Sequence, residues 1–132
     1  MFGINDGRLV FPREPLVRIE GPLAIVQLME TPILNLINFS SLVCTNGARM
    51  KWIAGENKRC IEFGLRRAQG PNGAMTASKY SYLGGFDASS NAEAGFKYGI
   101  PVVGTHAHSF VMSFEREEDL ADNRYLGGVD IL

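Results

Sequence analysis

The sequence predicts an α/β fold organised around a parallel sheet. Three observations carry that expectation. Short β-prone runs at residues 60–64, 84–87 and 101–104 alternate with helix-compatible stretches at 74–83 and 91–98. Glycines punctuate the boundaries, among them Gly70, Gly73, Gly84, Gly85, Gly99 and Gly104. The chain has 132 residues, 45% apolar and 20% charged. That is the balance of one folded domain, and it excludes a disordered tail, a collagen-like repeat or a coiled coil. Strands joined through helices within one sheet form right-handed βαβ units with parallel strands. Three such units make a segment of a barrel or of an open sheet.

The elements follow in chain order. Arg8-Leu9-Val10-Phe11 and Leu16-Val17-Arg18-Ile19 are β-prone runs flanking Pro12 and Pro15, which predicts a hairpin or an edge-strand pair. Gly21-Pro22 marks a turn. The continuous apolar run at 23–28 predicts a buried strand. Thr31-Pro32 then predicts a helix start, Thr as N-cap and Pro at the first helical position. Ile33, Leu34, Ile37, Ser41, Cys44 and Ala48 fall along one side of that helix, and Gly55 predicts its end. Residues 66–73 are polar and turn-like. Asn91 predicts an N-cap for a helix through Tyr98, with Gly99 as its stop. Residues 115–119 predict a charged, solvated tail.

Charge and cysteine usage narrow the classes of function. Thirteen basic and fourteen acidic residues give a net charge of −1, without the cationic excess of a nucleic-acid binder. Cys44 and Cys60 show no CxxC spacing, so reduced, mostly buried thiols are expected rather than a disulfide framework or a zinc site. The first residues lack a basic and then apolar leader. The apolar stretch at 23–42 is interrupted by Gln27, Glu30, Pro32, Asn35 and Asn38, short of the unbroken run expected of a bilayer span. A soluble, cytosolic protein with no membrane partner is the expectation.

In parallel α/β architectures ligands bind at the carboxyl ends of the strands. The residues following the three expected strands are Arg66-Arg67, then residues 87–91, then Thr105-His106-Ala107-His108. All three would line one rim. Arg66 and Arg67 could pair with Glu62 or with other carboxylates, or fork onto a ligand carboxylate or phosphate. Ser89-Ser90-Asn91 reads as a helix cap, and a helix N-terminus also attracts anions. His106 and His108 could share a face and a metal, but no third ligand has a convincing spacing, leaving a structural pair or a catalytic histidine open. A serine hydrolase is weaker still: there is no G-x-S-x-G elbow.

Longer motifs carry a resemblance. Glu62-Phe63-Gly64-Leu65-Arg66-Arg67-Ala68-Gln69-Gly70-Pro71, Tyr80-Ser81-Tyr82-Leu83-Gly84-Gly85-Phe86-Asp87, Ser90-Asn91 and residues 101–110 closely resemble nicotinate phosphoribosyltransferases. So do residues 21–32 and on to Thr45-Asn46, and the likeness extends from about Gly7 to Phe114. The resemblance implies a type II phosphoribosyltransferase-like fold, a partial irregular α/β barrel preceded by strands of an α/β sandwich domain. On that reading residues 1–30 are sandwich strands, 31–114 a linking helix and the first βα units of the barrel, and 115–132 a charged, poorly matched tail.

The implied activity transfers phosphoribosyl from phosphoribosyl diphosphate to nicotinate, coupled to ATP hydrolysis, with Mg²⁺ as cofactor, in a cytosolic homodimer. The resemblance implies that His108 is the histidine ATP phosphorylates. Arg66 matches an arginine lying over the base and near phosphate, and Thr105 a nicotinate-contacting position. Ser90 and Arg67 are carried over as substrate-binding positions. Asn91 stands where the sibling nicotinamide-using enzymes have an acid, and an amide avoids opposing the nicotinate carboxylate. Family enzymes are several times longer, with an N-terminal aromatic residue, later barrel strands and a Gly-rich phosphate loop that have no counterpart here. The chain alone is therefore expected to be inactive and to aggregate or need a partner. A non-catalytic interaction protein and, distantly, a metal-dependent hydrolase using His106 and His108 are the alternatives.

Overall fold

A computed structural model describes residues 1–114; the expected charged tail lies outside the described residues. Its first strands, β1 (Phe2–Gly3) and β2 (Val17–Arg18), pair antiparallel, Phe2 opposite Arg18 and Gly3 opposite Val17. The expected partner of β2, residues 8–11, is not a strand. It lies in the connection, where Phe11 N donates to a Glu14 carboxylate oxygen at 2.8 Å.

The expected buried strand at 23–28 is instead the beginning of helix α1 (Leu23–Ala54), 32 residues long. A short apolar run does not distinguish a buried strand from a helix by periodicity, and Leu, Ala, Gln, Met and Glu here are strong helix formers. Pro22 occupies the cap position, its carbonyl accepting from Ile25 N at 3.0 Å and Val26 N at 3.1 Å. Pro32 therefore lies inside the helix instead of starting it. Lacking an N–H, it leaves the carbonyl one turn earlier without its helical donor. The helix stops at Gly55, as expected, with φ 78°.

Only Gly47 is buried along α1, at the contact with helix α2 (Gly73–Leu83). A Cβ at Gly84 would stand 2.6 Å from the Cys44 carbonyl oxygen and 3.0 Å from Ala48 N; one at Gly47 would stand 3.4 Å from the Ser81 carbonyl oxygen. The two helices thus touch backbone to backbone where neither has a side chain. By length and composition α1 could also cross a bilayer, with a mean hydropathy of 1.2 in its most apolar window. The interruptions at Gln27, Glu30, Asn35 and Asn38 do not bring it below that level.

The parallel arrangement is present. Strand β3 (Ile61–Glu62) pairs parallel with β4 (Ala88–Ser89), Ile61 beside Ala88 and Glu62 beside Ser89. Ser89 in turn forms a parallel bridge with Val102, so the expected third strand is reduced to one bridge. The middle strand lies later than the expected 84–87. Gly84 and Gly85 finish α2, Gly84 N donating to the Tyr80 carbonyl, while the Asp87 side chain turns to Lys51 and Cys60 N. Helix α3 (Ala92–Tyr98) begins after Asn91 and ends at Gly99 in the left-handed conformation, φ 69°. Helix α4 (His108–Val111) is one turn. The buried apolar side chains Met75, Ala94 and Ile100 form one cluster between α2 and α3, and Ala88 of β4 is buried as well.

Candidate active-site rim

The order β3–β4–Val102 sets three parallel segments side by side, so their following loops leave from one edge. After β3, a 3-10 turn (Leu65–Arg67) closes with Arg67 N and Ala68 N donating to the Gly64 carbonyl at 2.9 and 3.1 Å. Both Arg66 and Arg67 are exposed. Among the described residues the ion pairs are Arg18–Glu20 and Lys51–Asp87, so neither guanidinium engages Glu62. After β4, Ser90 N donates to the Glu62 carbonyl at 2.9 Å, and Ser90 is half-buried. After the Val102 bridge, Thr105, His106 and His108 are exposed. His106 stacks on Phe110 with centroids 5.7 Å apart, and His108 opens α4.

Asn91 differs from these residues in being only 2% exposed. Its Oδ1 accepts from Ala94 N at 3.2 Å, the expected cap. Its Nδ2 donates to Ser78 Oγ at 3.1 Å and to Met75 Sδ at 3.5 Å. The amide is occupied within the fold, so its first role is to fix the loop carrying Ser90.

Sequence reasoning missed Glu62 as part of the site. Its carboxylate is buried, with Oε1 accepting from Gly64 N and Oε2 from Ser78 Oγ at 2.9 Å and Ser89 Oγ at 2.7 Å. The signal was a carboxylate inside the apolar run Cys60-Ile61-Glu62-Phe63, with serines one helix and one strand away. Every buried polar side-chain atom among the described residues has a hydrogen-bond partner.

Lys51 Nζ reaches Asp87 Oδ2 at 2.8 Å and the Lys58 carbonyl at 2.9 Å, tying the end of α1 to the residue before β4. Cys60 N donates to the same Asp87 oxygen at 2.7 Å. The Lys51 hydrogen bond, followed by that from Cys60 N, holds the Asp87 carboxyl below its ordinary value. Burial, and secondarily the charge of Asp6, pushes the Cys44 thiol up. Both cysteines are free and half-buried. No group of three or more His, Cys, Asp or Glu among the described residues could hold a metal. His106 and His108 therefore have no third ligand there, and the Mg²⁺ of the resemblance finds no donor set of three such side chains among the described residues.

The fold matches a known class. The crystal structure of human nicotinic acid phosphoribosyltransferase superposes with a TM-score of 0.80 at 60% identity, covering 85% of this chain and 22% of that one. The class is the type II phosphoribosyltransferase fold, here as mixed helices and strands. Nicotinate phosphoribosyltransferase 1 of Arabidopsis thaliana is 59% identical over 122 residues, 92% of this chain and 22% of its own length. The human nicotinate phosphoribosyltransferase is 60% identical over 115 residues, 87% of this chain and 21% of its own length. No family profile matches the chain. The chain is a homologue of nicotinate phosphoribosyltransferases and spans about a fifth of the length of these relatives.

Proposed function

We propose that the chain supplies part of the active site of a nicotinate phosphoribosyltransferase acting in NAD salvage. The observation that carries this reading is the shared edge from which the loops of Arg66, Ser90 and Thr105 leave. The full-length enzyme takes nicotinate, phosphoribosyl diphosphate and ATP. The pyridine nitrogen of nicotinate attacks the anomeric carbon of the ribose, and diphosphate leaves with the electrons of the broken C–O bond. Positive charge develops on the sugar, so positioned charge and alignment matter more than proton transfer.

Arg66 stacks over the pyridine and reaches phosphate, since a guanidinium suits both a π face and an oxyanion. Arg67 adds positive charge at the same turn. Thr105 and Ser90 contact nicotinate, and Asn91 holds Ser90 in place without presenting a carboxylate to the substrate. The His108 imidazole attacks the γ-phosphorus of ATP and ADP leaves. The resulting phosphohistidine sets a strong anion beside the site. Mg²⁺, when bound, would neutralise charge on the departing diphosphate, and none of the described residues is assigned to hold it. We place the enzyme in the cytosol, as a homodimer.

The test is ATP-dependent formation of nicotinate mononucleotide by a full-length protein containing this segment. Turnover is expected from that protein and not from the 132-residue chain. Changing His108→Ala is expected to abolish ³²P transfer from γ-labelled ATP and to uncouple ATP from product. Wild-type coupling in that variant removes the phosphohistidine role. Losing one charge-assisted contact in Arg66→Ala should lower kcat/KM by about tenfold to a hundredfold.

A further inference from the structure

We infer that Glu62 is a positioning residue for the rim, acting through the turn that presents Arg66. The inference rests on the proposed function and deepens it. Glu62 ends β3, and its side chain folds back over the residues that follow. Oε1 accepts from Gly64 N. A Cβ at position 64 would lie 3.0 Å from that oxygen, so glycine leaves room for the carboxylate to sit on the turn. Gly64 then closes the turn through its carbonyl, which accepts from Arg67 N at 2.9 Å. The backbone carrying Arg66 is therefore anchored at its first residue by Glu62.

The other carboxylate oxygen is held from two further elements, by Ser78 Oγ of α2 and Ser89 Oγ of β4. Each hydroxyl has one proton and donates it to Glu62, leaving its lone pairs to accept. Ser89 Oγ accepts from Asn91 N at 3.0 Å, and Ser78 Oγ accepts from Asn91 Nδ2 at 3.1 Å. The donors thus run in one direction, from Asn91 through the serines to Glu62. The carboxylate clips together the Arg66 turn, the Ser90–Asn91 loop and α2. No ion pair forms on it among the described residues, and the side-chain oxygens are held by N–H and O–H donors.

An amide cannot replace it. In Glu62→Gln the side-chain oxygen can keep Gly64 N, but the NH₂ then faces two hydroxyl donors. With the acceptor oxygen replaced by NH₂, the protons of Ser78 and Ser89 lose their partner, and unpaired buried donors are costly. Relaxation of the Gly64 turn is the expected response.

The experiment measures inorganic diphosphate binding by calorimetry, with KM and kcat for phosphoribosyl diphosphate, in a full-length protein containing this segment. Glu62→Gln is expected to weaken diphosphate binding and raise KM by about tenfold, with a smaller change in kcat. In an Arg66→Ala background the same change is expected to add less than about twofold, since the two residues act through one contact. Ser89→Ala should show a milder loss with the same dependence on Arg66, and it carries the comparison if Glu62→Gln does not accumulate folded. A purely structural role predicts a lower melting temperature and a lower kcat at unchanged KM. That result, or equal losses with and without Arg66, overturns the inference. A wild-type protein that binds diphosphate but makes no nicotinate mononucleotide would refute the proposed function while leaving the Glu62 comparison readable.

Discussion

Asp87 accepts from Lys51 Nζ and from Cys60 N, and both bonds favour its charged form. Its folded pKa lies below the unfolded value of about 3.9. The unfolded chain therefore binds the proton first. The stabilisation is complete above the unfolded value and is lost as the pH falls through the folded one. The difference in melting temperature between the full-length wild type and Asp87→Asn is expected to shrink as the pH is lowered from about 6 to about 3. A constant difference would mean that the carboxylate charge contributes nothing. Cys44 makes the opposite case: burial and Asp6 raise its thiol, so iodoacetamide at neutral pH should modify it more slowly than a free cysteine peptide. Mass spectrometry of the alkylated peptides reads this directly. At this scale Asn91 and Gly99 were legible, because capping and left-handed backbone are local chemistry written in single residues. Glu62 was not. Whether a carboxylate meets an arginine or two serines depends on which way its strand faces, and a two-residue strand carries too little alternation to tell.

Among the elements, the contact of α1 with α2 depends on missing side chains. Gly84→Ala would drive a Cβ into the Cys44 carbonyl and Ala48 N, backbone atoms that cannot rotate away. The helices must then separate, at a cost of about 1–3 kcal/mol or more, seen as a lower urea midpoint. Gly95 is the counterpart on α3, since a Cβ there would clash with Val102 Cγ2 and with the Ile100 carbonyl, 3.0 Å away. Gly95→Ala should displace the segment that bridges to Ser89, and with it Thr105. The helices α2 and α3 and the parallel sense of β3 and β4 were legible from their caps, glycines and alternation. The start of α1 was not, because Gly21-Pro22 reads as a turn, Thr31-Pro32 as a helix start, and the apolar run between them fits either structure. The third strand is a single bridge, Ser89 to Val102, which the run at 101–104 does not foretell.

At the scale of the molecule, apolar surface is distributed unevenly. Leu23 is 83% exposed, Leu28 78% and Trp52 86%, all on α1, while the buried apolar side chains among the described residues lie in α2, β4 and the α3 region. A monomer in water does not keep a helix so dressed uncovered without consequence. The 132-residue chain expressed alone is expected to aggregate, and co-expression with the remaining length of a family enzyme to recover soluble material. A sharp, reversible, monomeric melting transition of the isolated chain would contradict this. The clasp of Lys51 on Asp87 gives the same helix a mechanical meaning. Asp87 runs directly into β4 and the loop of Ser90, so α1 and the rim are joined by a strut rather than a hinge. Whatever seats that long helix in the complete enzyme also sets the bearing of the site, and a graft that moved the rim without its helix would carry the loops but not their alignment.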